Sequence, residues 1–108
     1  MKVIKKYVLN NGKIPFDEWF NSLDNSIKAK VLVRLERIKI GLFGDYRNLK
    51  NGLNELKFKS GERIYFYSEH NSIIILLVNA GNKKRQNQDI LKAYEYLEKY
   101  KKEENNDN

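Results

Sequence analysis

Apolar and polar residues along the start of the chain repeat in ways that predict one strand and one short helix. Residues 2–9 place apolar side chains at roughly alternating positions, which predicts a strand. The polar sequence Asn10–Gly12 is typical of a turn and would end that strand. A short helix is predicted from Pro15, because proline suits a first helical position and Asp17 and Glu18 suit the positive end of the helix dipole.

A second and longer helix is predicted next, because apolar residues recur there with helical spacing. These positions are Ile27, Val31, Leu35, Ile38 and Leu42. Asp24, Asn25 or Ser26 is suited to cap its first turn, since each side chain can accept a hydrogen bond from a free backbone N–H. Gly41 or Gly44 is suited to stop it, since glycine tolerates the left-handed conformation that ends many helices.

The second half of the chain changes to the two-residue period of strands. Leu53–Lys59 and Arg63–Ser68 alternate between apolar and polar residues, which predicts two antiparallel strands. Ser72–Asn79 is almost continuously apolar and is therefore predicted to be a central strand that is covered on both faces. A polar and basic loop over Asn82–Gln86 then leads to a last helix, predicted over Asp89–Tyr100.

This order of elements predicts the fold class. A strand, two helices, three antiparallel strands and a helix favour a small α+β sandwich, in which the helices pack on one side of an antiparallel sheet. We assign residues 1–100 to one domain and expect residues 101–108 to form a polar C-terminal tail that frays. Apolar residues make up 41% of the chain, which is enough to bury a core.

The pairing of the two alternating strands decides which side chains share a face. A three-residue loop over Ser60–Glu62 places the apolar residues of both strands on one face. The pairs are Leu56 with Phe66 and Phe58 with Ile64. The opposite face then collects Glu55, Lys57, Lys59, Arg63, Tyr65 and Tyr67. In this register Lys59 adjoins Arg63. Lys57 likewise adjoins Tyr65, and such neighbours lie about 5 Å apart.

Two interpretations of this polar face stay open at this point. Cations beside tyrosines form the combination that holds phosphates and stacks bases in nucleic-acid-binding proteins. The same alternation is ordinary for an antiparallel sheet, on which lysine often protects an edge from aggregation. The cations of Lys83–Arg85 precede a helix start, where free backbone N–H groups bind phosphate, and a solvated basic loop is the alternative.

Composition narrows the chemistry. Lys and Arg number 21 against 14 Asp and Glu, so the formal charge is +7 and an anionic partner is expected, with nucleic acid first. Coding bias is an alternative source of part of this charge, because 16 of the cations are lysine. The chain has no cysteine and a single histidine, His70. This excludes a disulfide scaffold, a thiolate metal site, a cysteine nucleophile and a histidine pair within one chain.

The sequence predicts neither a membrane span nor a secretion signal. The longest apolar run, Ile73–Val78, is roughly a third of what a membrane span needs. Residues 1–10 contain an apolar stretch that is too short and interrupted for a signal peptide. We therefore expect a cytoplasmic protein with no membrane partner. We also expect no metal and no small-molecule cofactor.

A set of short motifs occurs in a characteristic order along most of the chain. In chain order they are Gly44-Asp45, Gly52–Lys57, Arg63–Tyr65, a run of buried aliphatics, Gly81–Lys83 with Gln86, Asp89-Ile90 and Ala93. The set resembles the RelE/ParE toxin superfamily, and within it the HigB-like addiction module killer proteins. The resemblance implies a RelE-like sandwich and a toxin of a type II toxin–antitoxin module, with a cognate antitoxin as protein partner.

The resemblance leaves two activities open. RelE-like toxins cleave mRNA in the ribosomal A site, which implies an endoribonuclease that inhibits translation, with the ribosome and mRNA as further partners. ParE-like toxins instead poison DNA gyrase. A gyrase-inhibiting toxin, or a catalytically degenerate toxin that acts by binding, is therefore the alternative.

The resemblance also implies which residues form the site. By the matching positions, Lys57, Arg63 and Lys83 are the catalytic residues. The RNA-binding residues are Gln86 from the same match, together with Lys59, Tyr65, Lys84 and Arg85 from the polar face and the basic loop. No metal is needed if the RNA 2′-OH attacks the adjacent phosphorus, which gives a 2′,3′-cyclic phosphate and a 5′-OH. Arg63 and Lys83 would stabilise charge on the phosphate. Lys57 or Lys59 would act as the base, and Tyr65 would stack on the nucleotide.

Overall fold

A five-stranded mixed sheet with helices on both faces organises the part of the chain that the computed structural model describes, residues 1–105. The elements are β1 (Val3–Lys6), α1 (Pro15–Asn21), α2 (Asn25–Lys39), β2 (Tyr46–Asn48), β3 (Leu53–Lys57), β4 (Glu62–Glu69), β5 (Ile74–Asn82) and α3 (Gln86–Asn105). Short 3-10 turns cover Lys50–Gly52 and Lys83–Arg85. The α+β class predicted from the sequence is confirmed.

The sheet has the order β1-β5-β4-β3-β2. Strands β3 to β5 form antiparallel pairs, as predicted. Strand β2 was not predicted and adds an antiparallel edge next to β3. Strand β1 pairs with β5 in parallel, through Val3 opposite Ile74 and Ile4 opposite Ile75. The prediction of a purely antiparallel sheet is therefore wrong. The partner and direction of β1 are set by contacts about seventy residues away in sequence, and local periodicity carries no information about them.

The two N-terminal helices begin where the sequence signals place them. Pro15 opens α1, and the Asp24 side chain caps α2 by accepting a hydrogen bond from the backbone N–H of Ile27 at 3.0 Å. Helix α2 ends at Lys39, and Gly41 follows with a φ of +87°, the left-handed conformation expected after a helix. Both helices pack on one face of the sheet. Their shared core consists of Phe16, Val31, Leu35, Ile38, Leu56, Phe58, Ile64, Phe66, Ile75 and Leu77.

Helix α3 covers the opposite face, which corrects the prediction that all helices pack on one side. The second core consists of Tyr7, Leu53, Tyr65, Leu76, Val78, Ala93, Leu97 and Tyr100. The physical reason is that the strands carry apolar residues on both faces, so both faces need a cover. Strand β5 is buried from Ile75 to Asn79, which confirms the cover on both faces predicted from its continuous apolar run. The central position was predicted for the wrong strand, because β4 lies at the centre and β5 lies between β4 and β1.

Helix α3 is longer at both ends than predicted. It begins at Gln86 and runs to Asn105, so residues 101–105 are helical where a fraying tail was expected. Ion pairs one turn apart, Lys99 with Glu95 and Lys102 with Glu98, support this end. Lys101 also donates to the carbonyl of Asn51 at 2.8 Å. The rest of the predicted tail, residues 106–108, lies outside the described residues.

The hairpin between β3 and β4 has the predicted loop length but a different position. The N–H of Phe58 donates to the carbonyl of Glu62 at 3.1 Å, so the three loop residues are 59–61. Gly61 has a φ of +108°, which favours glycine as the last loop residue. The register therefore differs by two residues from the prediction, and Leu56 pairs with Ile64 instead of Phe66. Because strand side chains alternate, this shift keeps every residue on its predicted face.

Among residues 1–105, no helix combines the length and the apolar character needed to cross a membrane.

Candidate functional site

Polar residues form two neighbouring rows across the sheet, on the face that α3 covers. The inner row runs from β2 to β5 through directly paired positions: Arg47, Glu55, Tyr65 and Asn79. The outer row lies nearer the β3–β4 hairpin and consists of Lys57, Arg63 and Gly81. Directly paired residues on one face have side chains about 5 Å apart, so each row is a continuous line of neighbours.

Glu55 is the centre of the inner row. Its side chain is fully buried and accepts hydrogen bonds from Arg47 at 2.7 Å, Tyr65 at 3.0 Å and Gln86 at 2.7 Å. Burial alone would raise the pKa of this carboxyl, but the donors Gln86, Arg47 and Tyr65 outweigh it and lower the pKa. Glu55 therefore stays ionised and joins β2, β4 and the first turn of α3 at one point.

Tyr65 supports this carboxylate from the neighbouring strand. Its ring is fully buried, and burial, followed by the charge of Glu55, raises the pKa of its hydroxyl. The expectation that Tyr65 lies on an open face and stacks on a nucleotide is wrong for this geometry. The physical reason is that α3 packs on the face, with Ala93 and Leu97 in the same core as the tyrosine.

Lys57 and Arg63 face each other in the outer row, and both remain partly exposed. This corrects the expected pairs of Lys57 with Tyr65 and Lys59 with Arg63. The Nη1 atom of Arg63 donates to the carbonyls of Phe58 at 3.2 Å and Glu62 at 2.9 Å, which fixes the guanidinium against the hairpin. Its Nε is buried and has no hydrogen-bond partner within residues 1–105. Two cations are thus held side by side without a carboxylate between them.

The basic segment Lys83–Arg85 forms a 3-10 turn next to this pair. The Asn82 side chain accepts from the N–H groups of Lys84 at 3.0 Å and Arg85 at 3.3 Å, and it thereby shapes the turn. The N–H of Lys83 donates to the carbonyl of Gly61 at 2.9 Å, so the turn is tied to the β3–β4 hairpin. All three cations are exposed, as is Lys59 within the hairpin loop.

Asp89, in the first turn of α3, occupies the end of the outer row. A Cβ built on Gly81 would overlap its Oδ2 and lie 2.6 Å from its Cγ, so the carboxyl takes the space of a missing side chain. Burial raises the pKa of Asp89, while the charge of Arg85 acts in the opposite direction. The amide of Asn79 donates to the backbone carbonyl of Asp89 at 3.1 Å and holds this turn on the sheet.

The chain has a relative whose sequence can be compared over most of its length. An uncharacterized protein of Haemophilus influenzae is 34% identical over 83 residues, which cover 74% of this chain and 83% of the relative. The chain belongs to the family of that protein. No family model matches the chain. Membership of this family assigns no activity to the chain.

The structure brings the predicted site residues together only in part. Lys57 and Arg63 are neighbours, and Lys83 is tied to the same hairpin through its backbone. Lys59, Lys84 and Arg85 lie exposed around them, whereas Gln86 and Tyr65 point at Glu55. The arrangement offers one anchored cation, Arg63, and several exposed cations near Asp89, a carboxyl with a raised pKa. This combination can bind an anion such as a phosphate and can move a proton next to it.

Sequence reasoning missed three residues of the site. Arg47 lies on a three-residue edge strand that has no periodicity to detect. Glu55 was placed on the correct face, but its role depends on α3 lying above it. Asp89 was predicted only as part of a family motif and was given no role in the site. Its place three residues after Gln86 puts both residues in the first turn of one helix. That spacing was the one local signal for it.

Proposed function

We propose that this protein is the toxin of a type II toxin–antitoxin module and cleaves mRNA on the ribosome, with Lys57, Arg63 and Lys83 at the reaction site. The observation that carries the proposal is the direct pairing of Lys57 with Arg63. Like charges that face each other destabilise a sheet. An anion bound between them removes that cost, and an RNA phosphate is the anion that the surrounding cations also fit.

The neighbouring cations support a chain-like polyanion over a single small anion. Lys59 lies on one side of Gly61 in the hairpin loop, and the 3-10 turn Lys83–Arg85 is bonded to that glycine. These exposed cations lie at the hairpin end of the Lys57–Arg63 pair, so more than one phosphate of a chain can be contacted. Such contacts position a nucleic acid without reading its sequence, so sequence selection would come from the ribosome that presents the mRNA.

The arrangement of helices supports the RelE-like interpretation of the fold. Two N-terminal helices pack on one face of the sheet, four antiparallel strands follow, and helix α3 ends the described part of the chain. Apart from the short edge strand β2, this is the order of elements predicted from the sequence. A cognate antitoxin would then cover the cations around Lys57 and Arg63 or occupy an adjoining groove. The protein would act in the cytoplasm.

The reaction proposed for this site is attack of the RNA 2′-OH on the adjacent phosphorus. Arg63 is suited to stabilise the developing charge, because its Nη1 is anchored and its guanidinium is pre-oriented. Lys83 would add a second positive charge from the other side of the hairpin. The 2′,3′-cyclic phosphate and the 5′-OH are the expected products, and both can be identified chemically.

The test is to map the 5′ ends of a translated mRNA with and without this protein, and with and without ribosomes. Codon-phased cuts that need ribosomes are expected. The double variant K57A/R63A should lose them while keeping its circular dichroism spectrum. A matched control, K30A/R37A, removes a lysine and an arginine from the exposed surface of α2 and should cut normally.

Two results would contradict the proposal. Normal cutting by K57A/R63A would refute the site. Intact mRNA together with cleaved or relaxed DNA in a gyrase assay would refute the activity and favour a ParE-like toxin that acts by binding.

A further inference from the structure

Three carboxyl groups of the α3 face have different surroundings. Glu69 accepts a hydrogen bond from the hydroxyl of Tyr100, away from the two polar rows, whereas Glu55 and Asp89 belong to those rows. Glu55 is fully buried, and its two oxygens accept from Arg47, Tyr65 and Gln86. Asp89 is partly exposed and lies over the backbone of Gly81. A carboxylate that already accepts from three donors is a weak proton acceptor, because protonation breaks those bonds. A carboxyl without them stays free to take part in proton transfer.

The position of Asp89 relative to the cations follows from the register. Gly81 pairs directly with Arg63, and Arg63 pairs directly with Lys57. The carboxyl of Asp89 fills the space on Gly81 where a side chain would point to the same face as Arg63. Helix α3 thus supplies the third member of the outer row, beside a guanidinium and an ammonium. An anion bound by Arg63 would lie within reach of this carboxyl.

The site of Asp89 is built by both the sheet and the helix. Asn79 donates to its backbone carbonyl at 3.1 Å, which fixes the first turn of α3 over β5. Gly81 is the residue that leaves room for the carboxyl, since any side chain there would collide with it. The Oδ1 of Asn79 is buried and accepts no hydrogen bond within residues 1–105, so one acceptor beneath the Asp89 turn is still free.

The charged and titratable groups around Asp89 come from each element packed against it. Tyr65 is the near group on β4, the same strand on which Arg63 pairs with the underlying Gly81. Arg85 comes from the preceding 3-10 turn. Lys57 and Glu55 lie one strand further on β3. Burial outweighs Arg85 and raises the pKa of the carboxyl, which makes its ionised form a stronger base than an ordinary aspartate.

We propose that Asp89 is the general base of this site and takes the proton from the RNA 2′-OH. This inference rests on the proposed function and adds a residue to it, in place of the lysine that sequence reasoning had put in that role. Lys57, as an ammonium ion, is then left to act as the general acid. The two roles fall to the two ends of the outer row, with Arg63 and the phosphate between them.

The step balances with these groups alone. The 2′-O–H bond breaks as its proton moves to the Asp89 carboxylate, and the 2′ oxygen forms the new bond to phosphorus. The bond between phosphorus and the 5′ oxygen breaks, and that oxygen takes a proton from the Lys57 ammonium. The products are the 2′,3′-cyclic phosphate, the 5′-OH, a protonated Asp89 and a neutral Lys57. Exchange with water then restores both side chains.

The test compares single-turnover cleavage of mRNA on programmed ribosomes by the wild type, D89N and D89E. D89N should cut about 10²–10⁴-fold more slowly, the usual loss when a general base is removed. D89E restores a carboxylate and should recover part of the rate. The wild-type rate should rise with pH until Asp89 is ionised, and D89N should lack that rise. Affinity for the programmed ribosome should be the same for all three proteins.

A matched control is D17N, which removes an aspartate from the first turn of α1 on the other face of the sheet. Asp17 forms an exposed ion pair with Lys6 at 2.7 Å, and such pairs contribute little to stability. D17N should cut like the wild type. Circular dichroism melting of each variant shows whether a lost rate reflects a lost fold.

The outcomes separate this inference from the function on which it rests. If the wild type makes no ribosome-dependent cut, the proposed function and the role of Asp89 both fall. If the wild type cuts and D89N cuts equally fast with the same pH profile, only the role of Asp89 falls. A folded D89N that loses affinity in proportion to its rate also overturns the role, because Asp89 would then be a binding or structural residue.

Discussion

Both faces of the sheet are covered by helices, but they differ in what they bury. The α1/α2 face is lined by hydrocarbon from β3, β4 and β5, and the Phe66 ring stacks on Phe43 with centroids 5.5 Å apart. The α3 face is built from the alternate residues of the same strands, yet it contains the ionised Glu55 and the amide of Asn79. Among residues 1–105, the buried polar side chains, Glu55 and Asn79, both lie on this second face, whose outer row stays partly exposed.

This difference separates stability from positioning. Apolar residues in place of a buried ion pair are often as stabilising or more so, so a fold gains little stability by choosing Glu55 for an interior position. The carboxylate instead orients side chains from three elements: the guanidinium of Arg47, the phenol of Tyr65 and the amide of Gln86. The α1/α2 face thus contributes stability through apolar packing, whereas the α3 face combines a second apolar core with a polar network and the cations of the proposed site.

The largest effect is expected for Phe66→Ala on the apolar face. Removing this ring should lower the free energy of unfolding by about 4 kcal/mol, since the side chain is almost fully buried and the cavity cannot collapse against the sheet. Urea unfolding measures the loss, which should be the same at acidic and neutral pH. Phe66→Leu is the control and should lose less than about 1.5 kcal/mol. A strongly pH-dependent loss would show that the stability of the α1/α2 face also depends on ionisable groups.

Removing the carboxylate of the polar face should have the next largest effect. Glu55→Ala is expected to lose about 2–3 kcal/mol, because Tyr65 and Gln86 lose their acceptor while the half-exposed Arg47 regains water. Chemical denaturation measures this loss as well. An unchanged stability would mean that the network contributes no more than solvent does.

The pH dependence of the same site has a defined sign. The pKa of Glu55 is lower in the folded protein, so its stabilisation is complete above the ordinary glutamate pKa of about 4.3 and is lost as pH falls through the folded pKa. Glu55→Gln should therefore flatten the acid side of the stability profile. The raised pKa of Asp89 has the opposite sign, so Asp89→Asn should remove a small gain in stability on acidification.

A smaller effect is expected for Gly81→Ala. The new methyl group would displace the Asp89 carboxyl, at a cost of about 1–3 kcal/mol. In an Asp89→Ala background the same change should cost much less, because the colliding group is gone. A double-mutant cycle measures the difference. Equal costs in both backgrounds would show that the carboxyl does not occupy the space above Gly81.

These elements also show how far the sequence could be interpreted. Local chemistry sets the helix starts at Pro15 and after Asp24, and these were predicted correctly. Side-chain alternation sets the faces of β3 and β4, which were also predicted correctly. The exact register depends on which residue adopts a positive φ, and Gly61 was assigned one position too early in the loop. A strand pattern alone does not show which helix lies above which face.

The site was predictable to the same extent. Lys57 and Arg63 could be placed on one face from alternation, whereas Arg47 and Asp89 reach that face through an edge strand and a helix whose placement depends on tertiary contacts. Tyr65 illustrates the same limit, since an alternating tyrosine faces solvent or a helix depending on where α3 packs. Local sequence therefore located Lys57 and Arg63, and it missed the roles of Glu55 and Asp89, which depend on where α3 packs.

The smallest effect, and the one with an unusual sign, is expected for Lys57→Gln. Removing one of two facing cations should raise the free energy of unfolding by about 0.2–1 kcal/mol at low salt, and the gain should shrink as salt screens the repulsion. The same variant should bind a single-stranded RNA oligonucleotide more weakly, with a salt dependence reduced by about 0.7 for the lost phosphate contact. Lys30→Gln on the exposed surface of α2 is the control and should change neither quantity. A loss of stability in Lys57→Gln, or an unchanged salt dependence of RNA binding, would make Lys57 a structural residue of the sheet. The α3 face would then differ from the α1/α2 face in the polarity of its buried side chains, but not in binding RNA.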